Sequence, residues 1–358
     1  MKQIERIGEP EIIMRSDIPH RDYFAWPTVA RLRDGRIAVS ASGFRRSHIC
    51  PFGKAVMMTS SDEGTHYTVP EIVINTVLDD RDSGLCPFGE SGLILTSFNN
   101  TVEFQRRYAD GRQDCIDYLD SVDPADEAEA LGSRFRMSRD NGATWGELLH
   151  SPVTTPHGPI CLRDGRIFYL GSMFGLPNEE HHRNVRLYEI LPDGTARALG
   201  EIEDIYDENG ELALSCEPHL IELPDGTLIA HIRVQHRNTL FTTYQSESHD
   251  GGLTFTTPRR LLGLKGGAPA HLLLHSSGTL ISAYGYREKP FGIRLMFSED
   301  GGASWQTDVP LYEQDISADL GYPATVECRD GTLLTVFYAH ASEDSPAVIW
   351  QQRWRFVL

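Results

Sequence analysis

A glycine-centred segment recurs six times along the chain and limits the folds that the chain can adopt. The copies read LRDGRIAVS, GESGLILTS, LRDGRIFYL, LPDGTLIAH, HSSGTLISA and CRDGTLLTV, with their turn glycines at Gly35, Gly92, Gly165, Gly226, Gly278 and Gly331. Each glycine precedes an apolar run rich in β-branched residues, which is typical of a tight turn between two strands. Neighbouring glycines lie 52 to 73 residues apart, the period of a four-stranded propeller blade. The repeat therefore predicts an all-β fold, a six-bladed β-propeller.

A second repeat, S-x-D-x-G-x-x-aromatic, is interleaved with the first. Its copies are SSDEGTHY (60–67), SRDNGATW (138–145), SHDGGLTF (248–255) and SEDGGASW (298–305). We expect each copy to form the turn between the third and fourth strands of a blade. There the Asp accepts hydrogen bonds from backbone amides, the Gly takes a positive φ and the aromatic ring packs between blades. The third blade has only LPDG at this place and the last blade has no copy, so the motif is interpreted as a fold staple and not as a catalytic group.

The two ends of the chain are predicted to close one ring over residues 1–358, as a single domain. The early strand EIIM (11–14) is expected to pair with the terminal WQQRWRFVL. The second blade carries an insertion, from about residue 99 to 133. Within it, DPADEAEAL (123–131) is predicted to be helical, because Asp123 can cap a helix and Pro124 can begin one. Such an insertion can overhang the central pocket.

Composition narrows the function classes. The formal net charge is -18 and no cluster of Lys and Arg matches a run of phosphates, which argues against a nucleic-acid partner. Acidic residues interrupt the N-terminal segment and no apolar stretch reaches the length of a membrane span, so we predict a cytoplasmic protein without a membrane partner. The six cysteines are scattered, which favours reduced thiols over disulfides and gives no support for a metal or another cofactor. The sequence leaves an oligomer open.

The innermost strand of each blade is expected to begin about nine residues before its turn glycine, and the second strand returns to the same end of the axis. Residues at these positions include Trp26, Asp82, His157, Glu217, Tyr322, Arg45, Arg233, Arg287 and Tyr338. Such a ring of Arg, Glu, Asp, His and Tyr makes a poor core and a plausible site. Several arginines in one concavity of an acidic protein predict an anionic ligand, since guanidinium groups bind carboxylates bidentately.

The second repeat is similar to the Asp box of the sialidase superfamily, and the resemblance runs over essentially the whole chain. It implies a retaining mechanism with a Tyr nucleophile activated by a Glu, three arginines on the substrate carboxylate and an Asp acid. SCEPHLIELPDGTLIAHIR resembles the segment that carries the Glu and the second arginine, here Glu217 and Arg233. LGYPATVECRDGTLLTVFY resembles the nucleophile segment and implies Tyr322. The third arginine is implied within YGYREKPFGIRLMFSEDGG, at Arg287 or at Arg294.

The chain also departs from the family. Ala25 and Trp26 stand before Pro27 where sialidases have an Arg-Ile-Pro stretch, so the first arginine is missing. We expect Arg45 to compensate for it and Trp26 to offer an apolar or stacking surface. The next loop, RRSHICPFGK, lacks the expected Asp. Two substitutes for the acid remain open, Asp82 in LDDRDSG, with Arg81 beside it keeping it ionised, and His48.

From these features we predict an exo-glycoside hydrolase of sialidase type that releases a terminal acidic sugar. The candidate catalytic residues are Tyr322, Glu217, Asp82 and His48. The candidate substrate-binding residues are Arg233, Arg287, Arg294, Arg45, Arg81, His157 and Trp26. Two alternatives stay open: a non-catalytic carbohydrate-binding propeller, and a lyase or hydrolase for uronic-acid-type sugars that uses His157, Tyr322 and arginines.

Overall fold

The structure, a computed structural model, describes residues 2–109, 111–172, 185–207, 209–236, 242–261 and 266–357, without the side chain of Ala268. Within these residues the strands form six antiparallel sheets of four strands each. Each sheet is one blade, and the blades follow one another around a central axis as a six-bladed β-propeller. The prediction of an all-β propeller is confirmed.

Each blade begins with its innermost strand. The strands of the first three blades are β2 (Tyr23–Arg31), β3 (Ile37–Arg45), β4 (Lys54–Ser60) and β5 (Glu71–Ile74); β6 (Leu85–Phe88), β7 (Gly92–Phe98), β8 (Ser133–Ser138) and β9 (Leu149–Ser151); β10 (Ile160–Cys161), β11 (Ile167–Gly171), β12 (Val185–Ile190) and β13 (Ala196–Ile202). Those of the fourth and fifth are β14 (Leu214–Glu222), β15 (Leu228–Gln235), β16 (Thr242–Ser248) and β17 (Arg259–Arg260); β18 (Gly267–Leu274), β19 (Leu280–Tyr286), β20 (Phe291–Ser298) and β21 (Gln306–Gln314).

The sixth blade draws on both ends of the chain. It contains β22 (Gly321–Glu327), β23 (Leu333–His340), β24 (Ala347–Val357) and, as its outer strand, β1 (Gln3–Met14). The pairing of β1 with β24 runs from Gln3 opposite Val357 to Met14 opposite Ile349. The predicted ring closure is therefore confirmed, and it uses more of the N-terminal segment than EIIM alone.

The four complete copies of the second repeat lie between the third and fourth strands of their blades, as predicted. In the fifth blade, Asp300 Oδ1 accepts hydrogen bonds from the backbone N–H of Ser304 at 2.9 Å and from Ser298 Oγ at 2.8 Å. The Trp305 indole reaches the fourth blade, where its Nε1 donates to Gln245 Oε1 at 2.8 Å. These contacts join neighbouring blades, so the motif stabilises the ring.

The insertion of the second blade lies between β7 and β8 and forms three short helices, α1 (Val102–Arg107), α2 (Gln113–Ser121) and α3 (Pro124–Ala130). Asp123 caps α3, since its carboxylate accepts from the backbone N–H of Ala125. α2 packs on the loop after β3: Asp114 pairs with Arg46 at 2.5 Å, and the rings of Tyr118 and Phe52 are 5.1 Å apart. The insertion therefore supports a loop that borders the axial funnel. No helix among the described residues is long and apolar enough to cross a bilayer.

Candidate active site

Four side chains border the funnel at the same place in four blades, the start of the innermost strand. Trp26, Asp82, Glu217 and Tyr322 have φ of 54°, 51°, 49° and 50°. Non-glycine residues rarely adopt this left-handed region, and each instance costs about 1–3 kcal/mol. In the first, fourth and sixth blades the strand register shifts at this residue, as in a β-bulge, which re-aims a side chain. The repeated strain therefore directs unlike chemical groups toward one axis.

Tyr322, Glu217 and Arg233 are in direct contact. Tyr322 Oη donates to Glu217 Oε1 at 2.6 Å, and Arg233 Nη1 lies 2.6 Å from Glu217 Oε2 and 3.2 Å from Tyr322 Oη. Tyr322 is 5% exposed. Burial first, and then the charge of Glu217, raise the pKa of Tyr322 well above its usual value. The phenol therefore rests protonated, with an acceptor for its proton already in hydrogen-bond contact.

Arg287 approaches the same phenol from the fifth blade. Its Cζ lies 6.0 Å from the centre of the Tyr322 ring. Its Nη2 donates to Leu320 O at 3.1 Å and, at 3.5 Å, to Tyr338 Oη. Arg233 and Arg287 thus reach the vicinity of Tyr322 from neighbouring blades, as the sequence predicted.

Trp26 and Arg45 lie in the funnel wall, where a ligand does not reach them. The indole is fully buried, and the guanidinium carbons of Arg81 and Arg45 lie 4.2 Å and 4.7 Å from its ring. Arg45 is also fully buried and pairs with Asp79 at 2.5 Å and 2.9 Å. Two expectations are therefore corrected. Trp26 is a support for guanidinium groups and not a stacking surface for sugar, and Arg45 is neutralised by Asp79 and does not replace the missing arginine.

The string LDDRDSG is buried along its length, and each member has a different neighbour. Asp79 binds Arg45, whereas Asp80 accepts from Thr76 N at 2.6 Å and Thr76 Oγ1 at 2.9 Å. Arg81 turns toward Trp26 and places its Nη2 3.4 Å from His48 Nε2. No carboxylate of the described residues lies within salt-bridge distance of Arg81, and its buried Nε has no hydrogen-bond partner there.

Asp82 is the group with the electrostatics of a proton donor. It is 4% exposed, and burial together with the negative charge of Glu217 raises its pKa to about 7. The expectation that Arg81 keeps Asp82 ionised is wrong, because the guanidinium lies over Trp26 and its effect is smaller than that of burial. Near neutral pH a large fraction of Asp82 carries a proton.

His48 lacks the electrostatic properties of a proton donor. Its Nδ1 lies 3.0 Å from Asp319 Oδ1, and a carboxylate only accepts, so the proton is on Nδ1. Nε2, which faces an Arg81 N–H, then presents its lone pair. Burial lowers the pKa of His48, Asp319 raises it and Arg81 lowers it again, with a net decrease. Of the two substitutes for the acid, the structure favours Asp82.

Sequence reasoning missed Asp319, which lies in the loop before β22. Its carboxylate accepts from Tyr23 Oη at 2.8 Å, Tyr338 Oη at 3.0 Å and His340 Nε2 at 3.3 Å, in addition to His48. Burial alone would raise its pKa, but the hydrogen bonds from His340 and His48 hold it far below the usual range. No local motif marks this residue, because its partners come from segments about 20 to 300 residues away.

Two further candidates, Arg294 and His157, do not lie beside Tyr322 and Glu217. Arg294 lies on β20 and pairs with Glu313 at 2.8 Å and Asp308 at 3.3 Å, both on the outer strand of its own blade. His157 lies with His219 and His271 around the axis, with ring centres 5.5 Å and 5.0 Å from those two rings. His157 is buried and its Nδ1 is 3.3 Å from Thr28 Oγ1. Neither residue contacts Tyr322 or Glu217.

The part of the chain that the structure describes contains no group of three or more His, Cys, Asp or Glu side chains arranged to hold a metal ion. The propeller funnel thus combines a hydrogen-bonded Tyr–Glu pair, a buried carboxyl group whose pKa is raised to about 7, and several guanidinium groups.

Residues 118–335 match the BNR repeat-like domain family. The chain belongs to this family. No curated protein matches the chain at a significant level.

The chain is also similar to solved structures. A Dyadobacter fermentans DSM 18053 protein of unknown function is 20% identical, with 99% of both chains covered and a TM-score of 0.78. The NanB sialidase from Streptococcus pneumoniae is 11% identical over 98% of this chain and 70% of its own, with a TM-score of 0.66. The leech intramolecular trans-sialidase is 12% identical over 98% and 70%, with a TM-score of 0.63. At these identities the likeness establishes the sialidase-type propeller fold.

Proposed function

We propose that the chain is an exo-glycoside hydrolase of sialidase type that releases a terminal carboxylated sugar, sialic acid or a related compound, with retention of configuration. The observation that carries the proposal is the 2.6 Å hydrogen bond from Tyr322 to Glu217 inside a funnel of arginines. A site that only binds a sugar does not require a buried phenol on a buried carboxylate. Similar structures include a Trypanosoma rangeli sialidase in complex with sialic acid, which supports the choice of substrate class.

Tyr322 acts as the nucleophile. Its neutral phenol approaches an anomeric carbon that bears a carboxylate without the repulsion that an anionic side chain would meet. As Oη bonds to the anomeric carbon, the phenolic proton moves to Glu217 and the bond to the leaving oxygen breaks. Glu217 later returns this proton when the tyrosyl intermediate is hydrolysed.

Asp82 acts as the general acid in the first step, since its raised pKa leaves it protonated near neutral pH. It transfers its proton to the leaving oxygen. The resulting carboxylate then takes a proton from the water that attacks the anomeric carbon, which restores the starting state.

Arg233 and Arg287 bind the sugar carboxylate. Arg233 already contacts both Glu217 and Tyr322, so a carboxylate on this guanidinium is held beside the nucleophile. Fixing the anion in this way orients the anomeric carbon, and such positioning accounts for a large part of the rate enhancement of many enzymes.

The test is covalent trapping with a fluorinated mechanism-based sialosyl analogue, followed by peptide mapping. We expect the label on Tyr322, and we expect Tyr322→Phe to take up no label and to lose at least about 10³-fold in kcat. Tyr286→Phe removes a phenol whose Oη donates to Glu288 Oε2 at 3.3 Å, and it is the matched control. If the protein cleaves a glycoside and Tyr322→Phe retains the full rate, the nucleophile is misassigned.

A second candidate, a propeller that binds acidic sugars without cleaving them, is favoured by one feature, the tryptophan at the position of the first family arginine. Binding of the analogue without label and without turnover would support it. The uronic-acid lyase or hydrolase has less support, because His157 lies outside the cluster; an unsaturated sugar product would indicate a lyase. Cytoplasmic location stays a proposal, which implies that the substrate is short or imported.

A further inference from the structure

Asp319, a carboxylate that the proposed mechanism does not use, lies beside the funnel between the first and last blades. Tyr23 and His48 of the first blade and Tyr338 and His340 of the last blade all donate to it, over distances of 2.8 to 3.3 Å. Four donors saturate the lone pairs of one carboxylate. Such a fully satisfied network fixes the orientation of every member.

The direction of each hydrogen bond follows from the acceptors. His340 Nδ1 is 2.6 Å from Ser345 O and its Nε2 is 3.3 Å from Asp319. A carbonyl and a carboxylate only accept, so both ring nitrogens of His340 donate and the ring is an imidazolium. The pair formed by the Asp319 carboxylate and the His340 imidazolium is therefore neutral overall.

Two branches run from Asp319 toward guanidinium groups. In the first, Tyr338 donates its only hydroxyl proton to Asp319, so the Tyr338 oxygen accepts a hydrogen bond from Arg287 Nη2 at 3.5 Å. In the second, His48 gives its Nδ1 proton to Asp319 and turns the Nε2 lone pair toward Arg81 Nη2 at 3.4 Å. Both contacts are long, so a bound carboxylate can replace them with shorter, charge-assisted bonds.

We infer that Asp319 is a positioning residue for anion recognition, which orients Arg287 through Tyr338 and Arg81 through His48 toward one bound carboxylate. Arg287 donates to the Tyr338 oxygen itself. Arg81 lies over Trp26, and the ring centres of Trp26 and Tyr338 are 6.2 Å apart. Arg81 is 9% exposed and lacks a carboxylate partner among the described residues. A buried charge of this kind is costly unless a ligand neutralises it. The choice of a sugar carboxylate as the anion rests on the proposed function, whereas the arrangement of Asp319 and the two guanidinium groups is independent of it.

A similar solved structure is a Trypanosoma rangeli sialidase in complex with the inhibitor DANA. The experiment compares the binding of DANA, a carboxylic acid, with that of its methyl ester, measured by calorimetry. In Asp319→Asn an amide replaces an acceptor oxygen, so two of the four donors lose their acceptor. We expect the affinity for the acid to fall roughly 10- to 100-fold, the range for one or two charge-assisted hydrogen bonds, and the affinity for the ester to stay unchanged. With a glycoside substrate, kcat/KM should fall by a similar factor, because Arg287 both binds the carboxylate and orients the anomeric carbon. Asp308→Asn, which removes a carboxylate on the outer strand of the fifth blade, is the matched control.

The two branches give independent variants if Asp319→Asn folds poorly. Tyr338→Phe and His48→Gln should each lose part of the preference for the acid, and adding Asp319→Asn to either should have less effect than it has alone. An unchanged preference for the acid in folded Asp319→Asn overturns the inference, as does wild-type protein that binds acid and ester equally. A preference for the acid that Asp319→Asn abolishes, in a protein that cleaves no glycoside, supports the inference and contradicts the proposed hydrolysis.

Discussion

The pKa of Asp82 gives a quantitative prediction for the pH profile. With a pKa of about 7, about nine tenths of Asp82 is protonated at pH 6, about one tenth at pH 8 and about one hundredth at pH 9. Because the acid form is the active one, kcat/KM should fall as pH rises through 7, about tenfold between pH 6 and 8. The effect requires a leaving group that needs a proton, such as an alkyl alcohol.

The assay is kcat/KM against pH for an alkyl glycoside and for an aryl glycoside with an acidic phenol. We expect the alkaline decline for the alkyl glycoside to disappear in Asp82→Asn, together with a loss of roughly 10²- to 10⁴-fold in rate. The aryl glycoside should be much less affected, because its leaving group departs as an anion.

Asp80→Asn is the matched control. Burial raises the pKa of Asp80 to about 7 as well, but its carboxylate binds Thr76 and Asn99 instead of facing the funnel. This variant should keep the wild-type pH profile. Persistence of the alkaline decline in Asp82→Asn, or its loss in His48→Gln alone, would refute the assignment of the acid.

Three further predictions concern the scaffold. Asp300→Ala removes the acceptor for Ser304 N and Ser298 Oγ. Thermal melting should show a decrease of about 1–2 kcal/mol in the free energy of unfolding, without a change in rate per folded molecule. An unchanged melting temperature would contradict the role of the motif as a staple. Burial lowers the pKa of His231 to about 3. Relative to His231→Asn, the free energy of unfolding of the wild type should therefore decrease by about 1.4 kcal/mol per pH unit as the pH falls from about 6.5 toward 3. An equal dependence of the free energy of unfolding on pH in the two proteins would contradict this. Tyr118→Ala removes the ring that packs on Phe52, so the loop that carries His48 should become more susceptible to limited proteolysis than in the control Tyr108→Ala, and equal cleavage rates would show that α2 does not support it.

The sequence predicted the architecture well, because turn glycines and Asp boxes are local signals that repeat. It also brought Tyr322, Glu217 and Arg233 to one place, because the position of a residue within a blade determines which end of the axis it faces. The wrong predictions concern the side chains that surround a candidate residue. Arg45 occupies a funnel position by register, but Asp79, 34 residues further along the chain, neutralises it.

Asp319 could not be predicted from the sequence. No repeat or spacing marks it, and its role depends on four donors that only the closed ring brings together. The left-handed φ values at Trp26, Glu217 and Tyr322 had a partial signal, since a proline follows each of these residues.

The closure of the ring by β1 has a consequence for biosynthesis. Residues 3 and 357 are partners in the blade that holds Tyr322, so this blade cannot assemble on the ribosome until nearly the whole described chain has emerged. The earlier blades can pair their own strands during translation, whereas the sixth blade is complete only after β24 has emerged. Translation that stops before β24 would therefore release a chain in which β1 has no strand to pair with and the sixth blade keeps only β22 and β23.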